Sequence, residues 1–274
     1  MSIRDIFVPL APAIDFDPQL DAAARLASRL NAQVNVVFTR PDAVMTAANV
    51  PEMLAAAGVV VEVVEHESKL AETSAIIQFE EWRAANSLVG ATWHERIGSI
   101  TEAIIEVGRV SDLIVIGRSD PYEVVTEEMF TAAIYSTGRP TMIVPDRLVG
   151  DPLDHILIAW NGSLEAARAI AGAMPMLEAA GRVSIFTVPE NPKALYHHLG
   201  LIDYLKHHDV HAEWVEPSFG SSDLGLRLMK TAANEKASMI VMGAYTHHRV
   251  REAFLGGVTQ HVLKHTDIPI LMMH

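Results

Sequence analysis

The residues with the most evident chemical potential are three glycines near the carboxyl end of the chain. Residues 240–265 read IVMGAYTHHRVREAFLGGVTQHVLKH. The run at 238–242 is too short for a helix and suits a strand covered on both faces, and Gly243 ends it. Gly256 and Gly257 stand immediately before a stretch in which Val258, Val262 and Leu263 suit a half-buried helix. Glycines ahead of a helix start let backbone N–H groups approach an anion, and the helix dipole adds to the attraction. Such a loop can hold a phosphate without a charged side chain. The same glycines would serve as a helix cap and a tight turn in a loop that binds nothing.

Other chemistry is sparse. The chain has 274 residues and no cysteine, which removes disulfides, thiolate metal sites and cysteine nucleophiles. There is no Walker lysine motif. Trp160, Asn161, Gly162 and Ser163 lack the flanks of a nucleophile elbow. No catalytic residue is assigned. The 13 histidines are many for this length. His197, His198, His207, His208 and His211 lie on or after one helical stretch, where converging imidazoles would suit zinc. A solvated helix surface is the plainer expectation, and no metal site is assigned. His261 and His265 are one turn apart without a third ligand, and His265 suits the dipole at a helix end. His247 and His248 fall in the glycine loop and could touch an anion when protonated.

The net charge of −13 argues against a nucleic-acid groove, which needs clustered Lys and Arg, and indicates a self-repelling, dispersed surface. No apolar run approaches a membrane span, and the run at 6–10 lacks the basic start and cleavage-like site of a signal peptide. The expected location is the cytoplasm. Trp82, Trp93, Trp160 and Trp214 are scattered and read as packing residues.

The elements that would position these residues repeat. SDLIVIG at 111–117 mirrors ASMIVMG at 237–243, RPTMIVP at 139–145 mirrors IPILMMH at 268–274, and DIFVPL at 5–10 mirrors HILIAW at 155–160. Strands alternating with helical stretches indicate parallel α/β units. In the second half, strands are expected near 155–160, 183–188, 210–215, 238–242 and 268–273. Helices are expected near 164–180, 193–208, 222–235 and 257–265, with Ser163 as the first N-cap. The first half has comparable strands near 3–10, 33–39, 88–93, 113–116 and 141–144. The polar, Gly- and Pro-bearing segment 146–154 reads as a linker. The first half also carries extra chain within 41–86. Val59 to Val64 alone would favour a strand, whereas the flanking Ala, Glu, Leu and Lys favour a helix.

The glycine loop resembles the phosphate loop of the universal stress protein family. Nucleotide-binding members carry Gly, two residues, Gly, nine residues, then Gly followed by Ser or Thr. Here the marked positions are Gly243, Thr246, Gly256 and Gly257, so the spacing is intact while a glycine and a hydroxyl are replaced. AWNGSLEAARAIAGAMPMLEAAGRVSIFTV at 159–188 is a second point of similarity. The resemblance covers nearly the whole chain and implies a tandem of two family domains, 1–147 and 153–274. It implies two doubly wound five-stranded parallel sheets of order 3-2-1-4-5 with helices on both faces, adenine nucleotide alpha hydrolase-like. It also implies that the two last strands pair across a pseudo-twofold, an internal pseudo-dimer. It tips the extra segment to a long helix.

The resemblance further implies where a nucleotide would lie. Ligands of a doubly wound sheet bind at the strand carboxyl ends where the order reverses, between the first and fourth strands. In the second half Asn161 stands where nucleotide-binding members have Asp; it can accept a hydrogen bond but brings no charge. Val188 matches a position that packs on or bonds the adenine. Met242, Gly243, Gly256 and Val258 match further contacts. Thr246 resists the positive φ or close approach a glycine there allows, and Gly257 lacks the hydroxyl but keeps its N–H. The first half has no glycine pair before its helix, and Glu127 and Glu128 would repel a phosphate; Arg118 could meet another anion.

The expected function is a non-catalytic stress-response binding module with at most one adenine-nucleotide site, in the second half. ATP or a similar nucleotide, with Mg, is the implied ligand. The partner would be a small ligand or a protein, with a homodimer possible; the alternatives are a nucleotide-independent adaptor or structural protein, working through its surface and dimer edges, and a slow ATPase of the same fold.

Overall fold

The computed structural model describes residues 2–12, 16–48, 57–86, 90–118, 124–187, 194–217, 223–244 and 257–274. Ten strands form one sheet: β1 (Asp5–Leu10), β2 (Gln33–Arg40), β3 (Ala91–Ile97), β4 (Leu113–Gly117), β5 (Thr141–Val144), β6 (His155–Ala159), β7 (Arg182–Phe186), β8 (Ala212–Trp214), β9 (Met239–Gly243) and β10 (Ile270–Met273). Their order is β3-β2-β1-β4-β5-β10-β9-β6-β7-β8, which is the 3-2-1-4-5 order twice, joined at the fifth strands. Pairing is parallel within each half. β5 and β10 pair antiparallel, with Ile143 opposite Ile270 and Thr141 opposite Met272. The expected pseudo-twofold is therefore a hydrogen-bonded seam that leaves neither fifth strand as an open edge.

The helices divide between the two faces. One face carries α1 (Asp17–Leu30), α3 (Ala57–Ala85), α6 (Leu164–Ala179) and α7 (Ala194–Lys206). The other carries α4 (Ile100–Gly108), α5 (Val124–Ser136), α8 (Leu224–Glu235) and α9 (Gly257–His265). The inner strands are apolar on both sides, as parallel strands between two helical layers must be: Ile6 and Val8 face one core and Phe7 the other. Ser99, Ser163 and Asp223 cap α4, α6 and α8 through their side-chain oxygens. Across the seam α1 lies against α6. Arg29 pairs with Asp151 at 2.8 Å and donates to the Ala179 carbonyl at 2.7 Å.

One expectation shifts and another holds. The third strand runs Ala91–Ile97 rather than 88–93. It is an edge strand whose residues are all exposed or half-buried, so its polar content hid its extent. The extra segment yields the expected long helix α3, preceded by the short α2 (Ala43–Ala48). Helix propensity over the full length of α3 outweighs its local run of valines. Its buried side holds Ala75, Phe79 and Trp82 on the sheet, and Phe79 meets Trp93 at 5.2 Å between ring centroids.

A polar exception sits inside the second half. His155, at the start of β6, is buried with Nε2 2.8 Å from Ser184 Oγ and Nδ1 3.0 Å from the Glu235 carbonyl. Burial, reinforced by the Arg182 charge, holds its pKa below the usual 6.5.

Candidate functional site

The order of the sheet reverses between β6 and β9 in the second half and between β1 and β4 in the first. These are the points where doubly wound sheets open a crevice beyond the strand carboxyl ends. In the second half Ala159 lies opposite Met242, so Asn161 and Gly243 leave the sheet at the same end. Asn161 and Gly162 are exposed there, Gly162 with φ of +75° and open space on the side a Cβ would take. Asn161 uses its carboxamide oxygen to accept from the Ser163 N–H at 3.1 Å, and Ser163 Oγ accepts from the Ala166 N–H at 3.1 Å. The first turn of α6 is thus partly satisfied from within the chain.

Gly243 has a structural reason to be glycine. A Cβ there would stand 2.5 Å from the Ala166 nitrogen and 2.7 Å from the Glu165 carbonyl carbon. The end of β9 and the start of α6 approach too closely for any side chain between them. Glu165 thereby comes to the rim of the crevice, a carboxylate-bearing residue that sequence reasoning missed. Its only signal was its place in the first turn of a helix that begins at the first strand's end. Met242 is buried in the core under α8 and α9, so its side chain does not line the mouth. Val258 packs against the same core, and Gly257 opens α9. Val188, Thr246 and Gly256 lie outside the described residues.

The described part of the crevice therefore fits a nucleotide in one respect and opposes it in another. Asn161 and Gly162 leave room and a spare amide. The Trp160 indole N–H is buried with no acceptor among the described residues. Glu165 adds negative charge at the rim.

The first half differs. Gln19 on α1 is buried against Gly117, where a Cβ would meet its amide nitrogen at 2.3 Å, and its amide oxygen has no partner among the described residues. Gln19 fills the space at its own switch point. Arg118 donates to the Thr266 carbonyl at 2.8 Å and pairs with Asp146, so it ties the halves together instead of awaiting an anion.

Among the described residues no three histidines or carboxylates group to hold a metal. His208 neighbours Tyr204 and, at 4.0 Å, Glu178. His265 Nδ1 lies 2.8 Å from the His261 carbonyl, the helix-end contact expected of it. The side chains of His197 and His198 lie outside the described set, as do His247 and His248. An open polar groove of about 970 Å³, lined by Arg4, Asn31, Gln33, Asn35, Thr92 and His94, sits at the amino ends of β1 to β3, away from the first half's switch point. No described helix is long and apolar enough to cross a membrane.

Residues 220–274 match the family model of the universal stress protein family. No curated protein matches the sequence. A universal stress protein from Archaeoglobus fulgidus DSM 4304 superposes with a TM-score of 0.69 at 15% identity, covering 97% of this chain and 95% of that one. A putative universal stress protein from Pseudomonas aeruginosa UCBPP-PA14 gives 0.56 at 14% identity, with 99% and 93% covered. A functionally unknown protein from Pseudomonas aeruginosa PAO1 gives 0.55 at 14%, with 99% and 92% covered. At these identities the likeness is one of fold, and it runs through both halves.

Proposed function

We propose that this chain, which has the tandem universal stress protein fold, is a non-catalytic stress-response binding module with one adenine-nucleotide site in its second half. The repeat units are 1–147 and 153–274, and the cytoplasm is the proposed place of action. The observation that carries this reading is the contrast between the two switch points. Among the described residues Asn161 and Gly162 leave space at the second switch point, whereas Gln19 fills the first. Asn161 would hydrogen-bond the nucleotide, Val188 would meet the adenine, and the N–H groups around Gly256, Gly257 and Val258 the phosphates, with Gly243 and Thr246 at the mouth and Met242 in the core beneath it. ATP with Mg is the proposed ligand. No residue is assigned to hydrolysis.

A second reading has its own support. The Asn161 oxygen and the first turn of α6 already have partners, and Glu165 opposes phosphate. These features favour an adaptor that needs no nucleotide. Denaturing freshly purified protein and assaying the released adenine nucleotide separates the two. Near one nucleotide per chain supports the site. None released, and none taken up on adding ATP with magnesium, supports the adaptor.

A further inference from the structure

The geometry points to the outer face of α3 as a docking surface for an amphipathic basic helix of a partner protein. α3 is apolar on two opposite sides. Ala75, Phe79 and Trp82 are buried on the sheet. On the far side Val59, Leu70 and Ile77 are more than half exposed and Val63 nearly so. Val63, Leu70 and Ile77 are spaced by sevens, and Val59 is one turn before Val63, so they form a single stripe. That stripe is about 27 Å long from Val59 to Ile77 at the usual helical rise. α2 packs against α3 and exposes Val44 and Met45 as well. The positions that would complete a heptad seam, His66, Thr73 and Glu80, are polar and exposed, so the stripe is a narrow apolar ridge between polar rims.

Charge selects the occupant. Beside the stripe stand Glu62 on one flank and Glu67 and Glu81 on the other, all exposed. Two cations lie on the helix: Lys69, and Arg83, which pairs with Glu80. A second copy laid parallel would set Glu62 against Glu67. Laid antiparallel about Leu70, it would set Lys69 against itself. Neither of these registers brings a cation opposite a glutamate, and the antiparallel register that does, with Lys69 against Glu62, sets Glu67 against itself. A helix with lysines or arginines beside its own apolar stripe meets all three glutamates favourably, and the chain's charge of −13 steers it in.

The test uses the full-length protein and two labelled three-heptad peptides. Both have leucine at the a and d positions; one has lysine and the other glutamate at e and g. The lysine peptide should bind, and binding should weaken several-fold as salt is raised. Glu62→Lys combined with Glu67→Lys and Glu81→Lys should transfer preference to the glutamate peptide, by about tenfold in each direction. Leu70→Ser with Ile77→Ser should abolish binding of either. All five positions are exposed, so the thermal melt should stay unchanged and loss of fold is separately visible. No binding of the lysine peptide, or equal binding of the two, overturns the proposal. So does self-association in sedimentation velocity that Leu70→Ser removes, since the occupant would then be a second copy.

Discussion

At the scale of single residues, Gly243 shows how one spacing can have two causes. Its position in the glycine loop pointed to phosphate. The structure gives it a second reason, contact with the backbone of α6. Gly243→Ala should therefore destabilise the fold by about 1–3 kcal/mol whether or not a ligand is present, as forced overpacking does; denaturant unfolding measures it. Glu165→Gln should raise the affinity of an anionic ligand several-fold in a titration while lowering stability by no more than about 1 kcal/mol, because it removes a charge from the first turn of α6 and no packing. His155 makes a prediction in pH. Its folded pKa is depressed, so below 6.5 the unfolded chain takes up a proton that the folded chain resists. Its stabilising contribution is full above that value and is lost as pH falls through the folded pKa. His155→Gln should flatten the acid limb of a stability-against-pH curve. None of these roles was legible in the sequence. Gln19, Glu165 and His155 are ordinary residue types, and only the approach of distant segments makes them matter.

At the scale of elements, most of the chain was readable. Inner strands such as β4 and β9 are short apolar runs closed by a glycine, and the Ser163 cap marked the start of α6. β3 was placed too early because an edge strand, wet on one side, lacks that apolar signature. α3 was readable as a helix from its Ala, Glu and Leu, although its two apolar sides were not. Periodicity shows that apolar residues recur; burial shows which of them meet the sheet. Phe79→Ala should cost about 3–5 kcal/mol, as deletion of a buried aromatic does. Ile77→Ala, two residues away on the outer side, should cost almost nothing. Paired thermal melts would expose the asymmetry.

At the scale of the molecule, the sequence repeat announced two copies of one sheet, and the seam makes them one. β5 and β10 share hydrogen bonds, α1 lies on α6, and Arg118 reaches across to Thr266. The halves should unfold together. Calorimetric and van't Hoff enthalpies should agree, and the fluorescence of Trp82 and Trp93 should change in step with that of Trp160 and Trp214. Two separate transitions would show the seam to be weaker than either half.

The antiparallel seam also fixes orientation. Because β5 and β10 run in opposite directions, the two switch points open at opposite rims of the sheet. The sheet carries one switch point at each rim, one of them filled by Gln19. A tether near Arg118 would leave the other end unhindered, so the chain can be anchored at one rim and still be addressed at the far one.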